Sequence, residues 1–331
     1  MLLVLSGFLF VFFTARGISA SNDANTNRNP AADFDGDGKS DISVFRPSDG
    51  YWYIMQSSGG YSYIKWGLAA DTLVPGDYDG DGQTDLAIHR KGILQNGVIG
   101  IADNIWYILR SSDNTFLIRQ FGRRSAFIYD APVPADYDGD GKTDLATYHK
   151  TDVFNDPSYF VILQSSTGSQ VVKYWGNNAD ELVPADYDGD GKADLAVFRI
   201  YSFNGDEDGV GSWIISQSSN GAKRVVYFGL PTDKLVPADY DGDGKTDTAV
   251  WRPSNGFWYR INSSDSSFNV IHFGLSDDKP TPADYDGDRK TDIAVFRPST
   301  GVWYLLRSTQ GFTALPFGLQ ADIPIPNAFV R

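Results

Sequence analysis

The chain is 331 residues long, 41% hydrophobic and 14% aromatic, which is ample apolar material for a packed core. Its formal net charge is −14 and no basic stripe runs along it, which excludes the electrostatic footprint of a nucleic-acid binder. It has no cysteine, which excludes disulfide bracing and thiolate metal centres.

Residues 1–20 read as a signal peptide. The apolar run from Leu2 to Phe13 is too short to span a bilayer, and Ile18-Ser19-Ala20 before Ser21 has the small-residue pattern of a cleavage site. Residues 21–29 form a polar linker. The mature chain, residues 30–331, is expected to be secreted, displayed at the cell surface or held in a periplasm, with no transmembrane span after signal removal and as a monomer.

From residue 30 one unit recurs six times, beginning near residues 30, 74, 133, 183, 236 and 281. A period of about 45 residues is that of a four-stranded propeller blade. Each unit opens on a short approach strand that carries proline at Pro75, Pro134, Pro184, Pro237 and Pro282. Proline is tolerated in a sheet where one side of the strand is unpaired, as on the innermost strand of a blade. A nine-residue acidic loop follows, then a run such as Asp194-Leu195-Ala196-Val197-Phe198-Arg199, too short for a helix and rich in β-formers. Tight turns such as Pro47-Ser48-Asp49-Gly50 lead into a third strand. That strand bears Trp52, Trp106, Trp213, Trp258 or Trp303 at one slot, with Phe160 in the third unit. A polar Ser-Ser turn precedes a fourth strand, which closes on an aromatic-Gly pair from Trp66-Gly67 to Phe317-Gly318. The predicted fold is all-β: a β-propeller of six four-stranded blades, with the acidic loop between the first and second strands of each. Pro30 to Phe34 is taken as the first approach strand. The tail Ile323-Pro324-Ile325-Pro326-Asn327-Ala328-Phe329 resembles a seventh approach strand without its loop, which leaves open a seven-blade-like closure or a strand sealing the ring beside blade one.

The acidic loops place aspartates at positions one, three, five and nine. They are Asp33, Asp35, Asp37 and Asp41; Asp77, Asp79, Asp81 and Asp85; and Asp136, Asp138, Asp140 and Asp144. The remaining three sets are Asp186, Asp188, Asp190 and Asp194; Asp239, Asp241, Asp243 and Asp247; and Asp284, Asp286, Asp288 and Asp292. Calcium takes six to eight oxygens, and these carboxylates, with the position-seven carbonyls of Lys39, Gln83, Lys142, Lys192, Lys245 and Lys290, would supply them. Six divalent ions would bring twelve positive charges, taking the formal charge from −14 to −2. Zinc would prefer histidines, which the loops lack. An EF-hand would need a glutamate at position twelve, where Val44, Ile88, Thr147, Val197, Val250 and Val295 stand instead. In the sixth loop Arg289 replaces the second glycine, so a left-handed backbone and a positive charge make that site the weakest of up to six.

The acidic loop together with the aromatic-Gly pair resembles the FG-GAP-like (VCBS-type) repeats related to the β-propeller of integrin α-subunits, over about residues 30–331. The chain has six complete repeats where integrin has seven, and the Gly-Ala-Pro half of the motif is not spelled out. The resemblance implies calcium loops on one face and ligand binding on the other, often in adhesion or carbohydrate recognition, and supplies no catalytic residue.

Blades two, three and four replace the short hairpin turn with Lys91 to Asn104, Lys150 to Ser158 and Ile200 to Gly211. All three insertions are expected on the face opposite the acidic loops, beside the lengthened crossing from Arg123 to Tyr129. Loops on a rigid scaffold are where binding concentrates. The candidate ligand-binding residues are Arg123, Arg124, Tyr129, Phe154, Tyr201, Phe203, Asp206, Glu207 and Asp208. The expected function is a binding or adhesion module for an extracellular carbohydrate or protein ligand. The alternatives are a carbohydrate-active enzyme of lyase or hydrolase type and a structural surface domain. For catalysis the ingredients are thin: His89 fills an aromatic slot, His149 an arginine slot, and His272 lies a blade away from the insertions.

Overall fold

The computed structural model describes residues 31–92, 102–124, 128–151, 158–201 and 209–326. Blade one contains β1 (Ile42–Arg46), β2 (Tyr51–Met55) and β3 (Tyr61–Lys65). Blade two contains β4 (Thr72–Leu73), β5 (Leu86–Arg90), β6 (Ala102–Leu109) and β7 (Phe116–Arg124). Blade three contains β8 (Ile128–Pro132), β9 (Leu145–Thr151), β10 (Tyr159–Leu163) and β11 (Gln170–Tyr174). Blade four contains β12 (Glu181–Leu182), β13 (Leu195–Tyr201), β14 (Val210–Ser216) and β15 (Lys223–Tyr227). Blade five contains β16 (Lys234–Leu235), β17 (Thr248–Arg252), β18 (Phe257–Ile261) and β19 (Phe268–His272). Blade six contains β20 (Lys279–Pro280), β21 (Ile293–Arg297), β22 (Val302–Arg307) and β23 (Gly311–Pro316), and the chain then forms β24 (Ile323–Pro324). Neighbouring strands in each blade pair antiparallel, in chain order.

The tail settles the closure. β24 pairs with β1, with Phe45 opposite Ile323 and Val44 opposite Pro324. The Ile325 amide donates to the Ser43 carbonyl at 2.9 Å, as the Val74 amide donates to Ala87 at 3.0 Å in blade two. The first blade therefore takes its innermost strand from the C-terminal end, and the ring closes with six blades. The expectation that Pro30 to Phe34 supplies that strand is corrected. Of its described part, Ala32 lies outside the strand pairing: it is buried beside Trp52 and Ile325 and frames the acidic loop, its carbonyl accepting the Asp41 amide at 2.8 Å. The tail Ile323-Pro324-Ile325-Pro326 reproduces the Thr72-Leu73-Val74-Pro75 half of an approach strand, whereas polar Asn27 to Asn29 precedes Pro30.

Burial falls from the second strand outward. β1 is buried at four of five positions, β2 alternates, and β3 exposes every other side chain, with Tyr61 and Tyr63 on the outside. The one bulky ring per blade sits in this gradient: Trp52, Trp106, Phe160, Trp213 and Trp303 are fully buried and Trp258 nearly so. Each tryptophan also donates its indole N–H to the carbonyl of the aromatic-Gly pair of its own blade, as Trp303 does to Phe317 at 2.8 Å. The glycine of that pair has positive φ, +109° at Gly318, and a Cβ there would stand 3.2 Å from Cγ1 of Val44 in the next blade. Close blade packing and the left-handed backbone together call for glycine.

A single pairing of Arg124 with Tyr129 joins β7 to β8, so blades two and three form one eight-stranded sheet. No helix among the described residues is long and apolar enough to cross a membrane.

His89 occupies a fully buried slot that holds Phe45, Tyr148, Phe198, Trp251 and Phe296 in the other blades. Among the described residues neither ring nitrogen has a hydrogen-bond partner, and burial, with Lys91 nearby, pushes its pKa down to about 4. A histidine whose folded pKa is depressed stabilises the fold fully only above its unfolded value near 6.5, and that stability is lost as pH falls toward 4. The loss amounts to about 3 kcal/mol. His89→Phe is therefore expected to raise stability by about 1–3 kcal/mol at neutral pH and to flatten the acid limb. Chemical denaturation at pH 7.5 and pH 5 measures both effects.

Candidate metal centres

Each acidic loop is wound around the carboxylate at its first position. In the first loop Asp33 accepts the amides of Gly36 at 2.7 Å and Gly38 at 3.0 Å, and Asp37 accepts that of Lys39 at 2.9 Å. Asp41 at position nine accepts the Phe34 amide at 2.9 Å, which ties the loop's end to its start. The third loop repeats the pattern, with Gly139 and Gly141 donating to Asp136 at 2.6 and 2.9 Å and Tyr137 donating to Asp144 at 2.9 Å.

This winding gathers oxygens. Carboxylate atoms of Asp33, Asp35 and Asp41 lie within 4.8 Å of one another, as do those of Asp77, Asp79 and Asp85; Asp136, Asp138 and Asp144; and Asp186, Asp188 and Asp194. In the fifth loop the gathered set is Asp239, Asp241 and Asp243. Positions one, three and nine thus converge in the first four loops, while position five turns to its own backbone or to a serine.

By sequence the Ser-Ser pairs mark turns only, and the structure places them on the acidic loops. Ser57, Ser111, Ser165, Ser218, Ser263 and Ser308 each donate a backbone amide to the position-nine aspartate of their blade at 2.6–2.7 Å. The next hydroxyl bonds to position three, as Ser112 to Asp79 and Thr309 to Asp286, both at 2.6 Å. The pairs lie 16–26 residues from the position-nine aspartates they hold. The recurrence of Ser-Ser in five units and Ser308-Thr309 in the sixth is the signal the sequence offers.

The electrostatics of the clusters are unfavourable to bare negative charge. Burial, reinforced by the Asp35 and Asp33 carboxylates, pushes Asp41 up to about 7. Asp292 is likewise at about 7, and Asp85 and Asp194 are at about 6, in each case chiefly through burial. Burial also raises Asp33, Asp77, Asp136 and Asp284. In the sixth loop the Thr309 amide and hydroxyl and the Gln310 amide crowd onto Asp286 Oδ2, and the buried Oδ1 has no partner within hydrogen-bond geometry among the described residues. An orphaned carboxylate oxygen in a set of hard oxygen donors suits a cation.

The loops match a family model described as FG-GAP-like repeat over residues 33–88 and 239–295. Those two stretches carry FG-GAP-like repeats. The matched stretches contain the first, second, fifth and sixth acidic loops, and the third and fourth reproduce the same hydrogen bonds. No curated protein shows significant sequence similarity to the chain. Among solved structures it is similar to a streptogramin B lyase, at 11% identity, TM-score 0.45, over 88% of this chain and 84% of that one. Virginiamycin B lyase from Staphylococcus aureus is similar at 8% identity, TM-score 0.42, over 91% and 94%. A periplasmic gluconolactonase from Pseudomonas aeruginosa is similar at 9% identity, TM-score 0.45, over 84% and 96%. At these scores the likeness bears on no chemistry of this chain.

The sixth acidic loop departs from the others in its backbone, where a non-glycine residue holds a positive φ. Arg289 is exposed and has φ +70°, where its glycine counterpart Gly38 has +84°. Arg289→Gly is expected to relieve about 1 kcal/mol of backbone strain and, by removing a cation beside the carboxylates, to tighten metal binding at that loop. Denaturation with and without calcium reads the two effects separately.

At the opposite ends of the strands a second ring of polar groups clamps each crossing to its blade. Arg46 pairs with Asp322, Arg90 with Asp71, Arg199 with Asp180, Arg252 with Asp233 and Arg297 with Asp278, all through Nε at 2.7–2.9 Å. In blade three His149 takes the arginine's place, with Nδ1 2.7 Å from Asp130 Oδ1. The pair thus fills a clamp position that five other blades fill with arginine.

Of the candidate ligand residues, Arg123 is exposed near the end of β7, its amide donating to Asp130 at 2.7 Å. Arg124 and Tyr129 are opposite each other on β7 and β8, and Tyr201 ends β13 opposite Val210. Phe154, Phe203, Asp206, Glu207 and Asp208 lie outside the described residues.

Proposed function

We propose that this chain is an exported binding module whose propeller is stapled by calcium. The observation that carries the reading is the repeated convergence of aspartate oxygens, built from loops that offer no nitrogen or sulfur side-chain ligand. Positions one, three, five and nine of each loop, with the position-seven carbonyl, would hold the ion, and a hard cation suits such a set. Bound calcium would supply the charge compensation that buried carboxylates lack, fastening a protein without disulfides. The sixth loop, with Arg289, would be the weakest site.

Ligand recognition is assigned to the ends of the strands opposite the acidic loops, where the hairpins of blades two, three and four are lengthened. Extended strands carry those hairpins: β13 and β14 continue pairing to Tyr201 and Val210, beyond the length of β17 and β18. The ligand class is an extracellular carbohydrate or a protein. The catalytic alternative is disfavoured by His149, which stands in a clamp rather than beside a nucleophile.

Metal analysis of the purified mature chain after dialysis against micromolar calcium tests the staple, with up to six ions per chain expected. A chain that retains no calcium would overturn it. Glycan-array binding with calcium, repeated after shortening the three hairpins to Pro-Ser-Asn-Gly, tests the surface. Binding unchanged by the shortening would remove the ligand from that face, and depolymerisation of an array polysaccharide would establish the enzyme instead.

A further inference from the structure

The six acidic loops are joined to one another by backbone hydrogen bonds that form a closed circle. The position-eight amide of each loop donates to the position-one carbonyl of the loop before it. Thr84 donates to Asp33 at 2.6 Å, Thr143 to Asp77 at 2.6 Å, Ala193 to Asp136 at 2.6 Å, Thr246 to Asp186 at 2.7 Å and Thr291 to Asp239 at 2.7 Å. Ser40 donates to Asp284 at 2.7 Å and completes the ring. A second link runs alongside. The position-seven side chain of each loop lies over the position-four glycine of the loop before it, and Lys142 reaches on to donate to the Asp79 carbonyl at 2.8 Å. A Cβ at Gly80 would stand 2.7 Å from Cε of Lys142 and push that side chain aside, and the φ of +81° calls for glycine independently.

The linking amide belongs to the same peptide group as the position-seven carbonyl. A cation drawing on that carbonyl polarises the peptide and strengthens its N–H as a donor, and it fixes the peptide plane that sets the bond's direction. The acceptor is the backbone of the position-one aspartate, around which the preceding loop is wound. Ordering one loop therefore orders its neighbour's first ligand, and a closed circle has no end at which the effect is lost.

We propose that metal binding is positively coupled from loop to loop around this ring, so that the six sites fill as one cooperative unit. The proposal rests on the calcium reading of the loops. Its sign distinguishes it from simple charge. Filling one acidic loop lowers the negative potential at the next, so Coulomb effects alone give independent or successively weaker sites, damped beyond a Debye length of about 8 Å.

The test is calorimetric titration of the calcium-stripped full mature chain with calcium, beside the variant Asp138→Ala with Asp140→Ala. That variant disables the third loop yet keeps Asp136 and Asp144, which hold its backbone. Coupling predicts a native Hill coefficient well above 1, and in the variant a loss of one ion together with at least ~5-fold weaker binding at the remaining sites. A native Hill coefficient of 1 or below, or five remaining sites of unchanged affinity, overturns the coupling while leaving the calcium sites standing. Should the variant fail to fold, the native slope alone decides. Absence of calcium uptake by the native chain overturns the calcium reading and the coupling with it.

Discussion

Stripping calcium at pH 7.5 is expected to lower the melting temperature by tens of degrees, and the stripped protein is expected to regain stability as the pH is lowered toward 5. A site exposed to free calcium at 100 times its dissociation constant contributes about 2.7 kcal/mol to stability. Two or three such sites match the 5–15 kcal/mol that separates folded from unfolded domains at about room temperature. The pH dependence of the stripped form follows from the raised aspartates. Asp41 and Asp292 titrate at about 7 in the fold, and Asp85 and Asp194 at about 6, against 3.8 in a free carboxylate. A carboxyl with a raised folded pKa binds its proton more tightly in the folded state, so stability increases as pH falls through 7 and 6 toward 4. It is lost as pH rises again. The loaded form has the opposite slope over the same window, because protons compete with the metal. His89 opposes the gain of the stripped form below pH 6.5, so the His89→Phe background shows the carboxylate effect most cleanly. Scanning calorimetry with excess calcium and with a chelator, at pH 5 and 7.5, measures all four states. Equal melting temperatures with and without calcium at pH 7.5 would refute the staple.

Deleting residues 323–331 is expected to destabilise the protein more than any single substitution. The cut removes the innermost strand of blade one and with it the pairing of Phe45 with Ile323. It also removes Ile325, which is fully buried in a cluster with Ala32, Phe45, Trp52 and Leu73. A milder probe is Ile325→Ala, for which the lost contacts and the cavity left behind predict about 2–5 kcal/mol. Phe312→Ser serves as a control. Phe312 is 61% exposed on the outermost strand of blade six, and a surface change there is expected to stay within about 0.5 kcal/mol. Urea denaturation of the three variants with calcium present gives the ranking. A truncated chain as stable as the control would mean that the ring does not depend on its C-terminal strand.

Much of this molecule is written in short stretches of chain. The nine-residue acidic loops, the alternation of β2 and its siblings and the aromatic-Gly pairs each depend on residues a few positions apart. For that reason the all-β blades, the six-fold repeat and the left-handed backbone at Arg289 follow from the sequence. Even His149 was legible as an occupant of an arginine slot, because the strand register repeats.

What the tertiary structure decided lies between segments. Two stretches, Pro30 to Phe34 and Ile323 to Phe329, each resemble part of the approach strand of blade one, and the pairing of Ile323 and the packing of Ile325 against blade one select the second. The bond from Arg46 to Asp322 spans 276 residues and appears only when the ring is closed. The serine pairs acquire their role as loop clamps because the third-to-fourth turn folds back onto the acidic loop of the same blade. The circle of amide-to-carbonyl bonds between loops exists in no single repeat, since donor and acceptor always belong to different blades. Local spacing fixes which oxygens a loop can offer, whereas the relation of one loop to the next is set by the angle at which whole sheets pack, and that angle is a property of the closed ring.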